Sequence, residues 1–108
     1  MEDLQNKDKS IKVIWNTIVS VFGIDYFRIV DFWDGDNFSL GILRGDKLIY
    51  VSTWDMNNEL SAEILCYVEF ERENGNNDIP YTLIKKTQKI SVNELIKEIC
   101  VFLKQDKQ

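Results

Sequence analysis

The side chains of this chain best suited to chemistry are carboxylates set beside large aromatic rings. Trp33-Asp34-Gly35-Asp36-Asn37 and Trp54-Asp55-Met56-Asn57-Asn58 share one pattern, Trp-Asp-x-x-Asn. An acid next to an indole offers two complementary contacts. The carboxylate makes charge-assisted hydrogen bonds to Lys or Arg, and the ring gives a large apolar area at little entropic cost. Glu59 follows the second copy of the pattern, and Tyr67, Glu69 and Glu71 share one parity further along. The partner-binding candidates are therefore Trp33, Asp34, Asp36, Trp54, Asp55, Glu59, Tyr67, Glu69 and Glu71. The competing reading is structural: each tryptophan turns inward to close a core, and Asp and Asn only make turns.

Other chemistries find less support. Carboxylate pairs such as Asp34/Asp36 or Glu69/Glu71 could in principle carry acid–base catalysis. The chain has no histidine, which removes the commonest general base and most zinc and iron sites. Asp34-x-Asp36 begins like a calcium-binding loop, but the position that requires glutamate falls on Gly45. No GxGxxG and no GKS or GKT is present. Cys66 and Cys100 have no metal-type spacing and sit among apolar neighbours, so both are expected as buried free thiols. No metal, cofactor or catalytic residue is expected.

Charge sharpens the partner question. The net charge of −5 is unevenly spread. Residues 1–24 hold three acids and three bases, residues 25–78 twelve acids and four bases, and residues 79–108 three acids and six bases. The middle segment, at −8, repels phosphate and suits a basic protein. Lys85, Lys86 and Lys89 form a small basic cluster with no aromatic among them, so nucleic acid is not an expected partner. No apolar run approaches the ~20 residues a membrane helix needs. The polar residues 1–7 read as a flexible tail without a signal-peptide pattern, and the expected compartment is the cytosol.

These residues need a scaffold, and 108 residues with 44% hydrophobic content fit one α+β domain. Ile11, Ile14, Trp15, Ile18, Val21 and Phe22 recur at helical spacing, which predicts a helix over about 8–22, capped by Asp8 or Ser10 and ended by Gly23. Strands are predicted over 26–33, 38–44 and 47–54, joined by turns at 34–37 and 45–46. A fourth strand over 62–71 alternates apolar and largely acidic positions, with a helical turn possible at 59–63. A fifth covers 79–86, and Pro80 sets it at an edge or an end. Ser91-Val92-Asn93-Glu94 is a capping box for a helix reaching about Lys104, with Val92, Leu95, Ile96, Ile99, Cys100 and Leu103 as its buried stripe. The expected layout is α-β-β-β-β-β-α, an antiparallel meander with both helices on one face and a more exposed opposite face.

In size, charge and α+β layout the chain resembles small bacterial toxin-immunity proteins, including those of contact-dependent inhibition systems. That resemblance implies a non-catalytic, cytoplasmic antitoxin that blocks a toxin domain stoichiometrically. Many such toxins are nucleases, whose basic clefts suit an acidic cover. The chain is also similar to small acidic secretion-type chaperones, which hold partner segments as dimers. Those carry a helix between the third and fourth strands, for which 58–66 is the candidate. Monomer and homodimer both stay open.

Overall fold

The structure is a computed structural model and describes residues 7–30, 37–53, 64–75 and 81–104. Its elements are α1 (Lys9–Phe22), β1 (Arg28–Val30), β2 (Ser39–Arg44), β3 (Lys47–Ser52), β4 (Leu65–Glu73), β5 (Tyr81–Ser91) and α2 (Val92–Lys104). The sheet order is β1-β2-β3-β4-β5, and every neighbouring pair is antiparallel. This is the predicted α+β meander.

The period of two in each strand decides what faces the helices. Ile42, Ile49 and Phe70 stand in one cross-strand row, and Leu40, Val51 and Val68 in the next. All six are buried, in one cluster with Ile11, Ile14 and Ile18 of α1 and Leu95, Ile99 and Phe102 of α2. Both helices therefore cover the same face. Phe102, absent from the predicted stripe, packs on Phe70 with ring centroids 5.0 Å apart. Val21, expected in the stripe of α1, is 52% exposed instead. Cys66 is buried, Cys100 only half-buried, and both are free.

The helix caps follow the sequence. Asp8 caps α1, accepting from the Ser10 backbone N–H at 3.0 Å. Ser91 and Glu94 form the reciprocal box: the Ser91 N–H donates to Glu94 Oε1 at 2.9 Å, and the Glu94 N–H donates to Ser91 Oγ at 3.1 Å. Gly23 and Gly45 both take positive φ, as the end of α1 and the β2–β3 turn require.

Three expectations change. The first strand does not begin at Tyr26: the Tyr26 N–H turns back to the Gly23 carbonyl, and its ring stacks on Phe22, so β1 starts at Arg28. The fifth strand does not stop at Lys86 but runs on to Ser91 and passes directly into α2. A bulge, with Lys89 at φ 57°, carries it through the stretch that has no strand-like alternation. Finally, the face away from the helices is not open throughout. Ser39, Leu48 and Ser52 point that way and are buried. The helical turn expected at 59–63 and the turn residues 34–36 lie outside the described residues.

Candidate functional site

Tyr67, Glu69 and Glu71 occupy alternate positions of β4, so all three project from the face opposite the helices. Their cross-strand partners complete the site. Tyr67 stands opposite Ser52, Glu69 lies between Tyr50 and Lys86, and Glu71 lies between Leu48 and Leu83. The Tyr50 and Tyr67 rings meet edge to face at 6.4 Å. The Tyr67 hydroxyl donates to Glu69 Oε2.

The electrostatics follow from this placement. Burial raises the Glu71 carboxyl, and the hydrogen bond and charge of Glu69 raise it further, to about 6. The hydrophobic neighbours of Glu71 account for the burial: Leu48 is 2% exposed, and Leu83 flanks the other side. Tyr67 is pushed up to about 12, first by burial and then by its bond to Glu69. The phenol thus stays protonated and remains a donor. Below pH 6 Glu71 holds a proton and bonds to Glu69; at neutral pH Glu71 ionises, and its negative charge lies beside Glu69 and the two tyrosines. Such a surface can receive a guanidinium or ammonium group.

Trp33, Asp34, Asp36, Trp54, Asp55 and Glu59 lie outside the described residues. The residues that bound their segments stand at one end of the sheet. Asn37 O accepts from the Asp8 N–H at 2.8 Å, and Phe38 O accepts from the Thr53 N–H at 2.8 Å. At this end the Ser10 hydroxyl, 2.6 Å from Asp8 Oδ2 and 2.7 Å from Thr53 Oγ1, ties the start of α1 to the end of β3. Its bonds to Asp8, side chain first, hold that carboxyl below its ordinary value. Tyr67 is the site residue closest to this end, in the same row as Ser39 and Ser52.

No known protein family, curated protein or solved structure matches the chain. The geometry alone therefore weighs what the site can do. Among the described residues no group of three or more His, Cys, Asp or Glu side chains could hold a metal ion, and no helix is long and apolar enough to cross a membrane. A shallow hollow beside β1 is lined by Tyr26, Phe27, Arg28 and Arg44. There the Arg44 guanidinium lies 3.6 Å from the Tyr26 ring centre and donates to the Tyr26 carbonyl at 2.9 Å, which fixes it against its own chain.

Sequence reasoning missed two members of the site. Tyr50 carries no local signal, since it follows Ile49 in an apolar run; only the β3–β4 register places it opposite Glu69. Leu48 was hidden the same way. The alternation of β4 did reveal the shared face of Tyr67, Glu69 and Glu71.

Proposed function

We propose that this chain is a non-catalytic immunity protein that binds and neutralises a basic toxin domain, of the nuclease type, through an acidic, aromatic-bearing surface. The observation that carries the reading is the Tyr50, Tyr67, Glu69 and Glu71 cluster on the sheet face away from the helices. Two carboxylates held two residues apart match the fork of an arginine, and the two rings supply apolar contact area around it. The −8 charge of residues 25–78 adds long-range attraction for a basic partner and speeds its encounter. The strand pairing holds the groups on a rigid support, so little ordering entropy opposes binding. The Trp-Asp segments at 33–36 and 54–55 extend the same acid–aromatic chemistry.

The experiment is capture of partners by the native protein from its own cells, followed by affinity measurements on the captured partner. A single folded, basic toxin domain whose activity is blocked at one-to-one stoichiometry is the expected outcome. Glu69→Lys with Glu71→Lys should lower its affinity by at least about tenfold and flatten its salt dependence. Reversal of Asp34, Asp36 and Asp55 tests the Trp-Asp segments separately. Several partly unfolded clients in place of one partner, or unchanged affinity in both charge-reversed proteins, would refute the reading.

A further inference from the structure

β5 is the longest strand of the sheet, 11 residues, and it is an edge strand. The opposite edge, β1, has only three described residues. Long open edges are usually shielded, because the backbone groups pointing outward can pair with another chain. Here Thr82, Leu83, Ile84, Lys85, Lys86, Gln88 and Lys89 are all exposed.

Two further features mark this flank. Leu83 (48%), Ile84 (44%) and Val101 of α2 (51%) are three of the six large hydrophobic residues that the described surface exposes. Val101 follows Glu98 by one helical turn, and Glu98 is bound to Lys85 at 2.6 Å, so Val101 and Lys85 lie on the helix side of the β5 edge, while Leu83, opposite Glu71, lies on its other side. The charge also changes sign. Within residues 81–104 five lysines face two glutamates, in a chain whose middle is strongly acidic.

From these observations we propose that the β5 edge is a docking site for an acidic, extended peptide segment, which adds as a sixth strand. Backbone pairing along Thr82–Thr87 supplies the affinity. Leu83, Ile84 and Val101 receive apolar side chains, and Lys86 and Lys89 select for acids. A second copy of this chain is a poor occupant, since pairing two β5 strands brings Lys85, Lys86 and Lys89 against their own kind. The two ladder irregularities, between Cys66 and Val68 and between Phe70 and Glu71, break the edge into short regular runs. They suit a short flexible segment better than a stiff preformed strand. Lys86 stands opposite Glu69 and Leu83 opposite Glu71, so this edge borders the Glu69–Glu71 face; its backbone pairing does not depend on the role of that face.

The probe is a capped eight-residue peptide alternating Glu with Val or Thr, compared with the same peptide carrying Lys for Glu. Amide exchange across β5 is the readout. The acidic peptide should slow exchange at Thr82–Thr87 saturably, and the lysine peptide should not. N-methylation of alternate peptide residues discriminates further: one of the two alternate sets should abolish binding and the other should leave it, because only one set donates to β5. Lys86→Glu with Lys89→Glu, both at exposed positions, should weaken the acidic peptide about tenfold and favour the lysine one. The proposal is overturned by any of four results: no protection by the acidic peptide, equal binding of both peptides, equal tolerance of both methylated sets, or tighter binding of a uridine oligonucleotide to the same amides. Concentration-dependent self-association that protects β5 would overturn it in favour of a second copy.

Discussion

Replacing Glu71 with Gln should remove a pH dependence of stability and make the protein more stable at neutral pH. In the folded chain the Glu71 carboxyl is raised from its ordinary 4.5 to about 6. A carboxyl that holds its proton more tightly when folded contributes stability that is complete below pH 4.5. That stability is lost as pH rises through 6. The rise corresponds to about 2 kcal/mol at about 1.4 kcal/mol per pH unit. Glu71 is only half-buried, so solvent screening reduces the figure to about 1 kcal/mol. Gln keeps the shape and can still donate to Glu69, so it mimics the protonated acid at every pH. The difference in unfolding free energy, Glu71→Gln minus wild type, should be near zero at pH 4 and grow to about 1 kcal/mol by pH 7. Urea unfolding curves at half-unit pH steps measure it, with equal slopes confirming that only stability changed. The lowered Asp8 carboxyl acts in the opposite sense at lower pH, and it cancels in the difference. A flat difference across this window, or a variant less stable at pH 7, would refute the proton-sharing account of the pair.

Further outcomes test other parts of the fold. Ser91→Ala removes one arm of the α2 capping box and should cost about 1 kcal/mol, read as a lower Tm. Phe102→Ala deletes a 2% exposed ring packed on Phe70 and should cost about 3–5 kcal/mol in chemical denaturation. Ser39 is fully buried and its hydroxyl has no hydrogen-bond partner, so Ser39→Ala should leave Tm unchanged or raise it. Burial and the charge of Glu94 push the Cys66 thiol up to about 12, so native-state alkylation at pH 8 should label Cys100 well before Cys66.

What could be read from the sequence was whatever rests on local chemistry. The Asp8 cap, the Ser91–Glu94 box and the Gly45 turn each need only a few adjacent residues, and each stands as expected. The two-residue alternation of β4 placed Glu69 and Glu71 on one face before any pairing was known. The failures came where tertiary partners decide. Residues 87–91 lack an alternating pattern, yet they continue β5 because β4 is present to pair with them as far as Leu65. Val21 fits the helical period of α1 but is exposed, because the last turn of the helix turns Phe22 in its place toward Phe27 and the core. Tyr50 became a site residue only through a register that no local window contains.

The arrangement of the helices explains how an acidic protein of this layout tolerates its charge. α1 starts beside Asn37 and Thr53, and α2 starts at Ser91, which pairs with Leu65. Both helices therefore begin at the same end of the sheet and run parallel, a costly alignment for two dipoles unless their ends are compensated. The N-terminal ends carry Asp8 and Glu94. At the other end Arg44 donates to the Tyr26 carbonyl just past α1, and Lys47, 4% exposed, donates to the Leu103 carbonyl of α2 at 3.4 Å. Each helix thus puts roughly half a positive charge at the end where the chain enters and leaves residues 31–36 and 54–63. Those two segments hold Asp31, Asp34, Asp36, Asp55, Glu59 and Glu63 and no base. The same polarity that eases acids at that end makes Lys47 the residue on which the balance depends. Lys47→Met keeps the buried volume but strips the cation from the end of α2, and it should lower stability more at low salt than at high salt. Thermal unfolding of the variant and the wild type at two ionic strengths measures the difference. Equal losses at both would mean that Lys47 acts through its packed stem alone and that the helix ends do not set the charge layout.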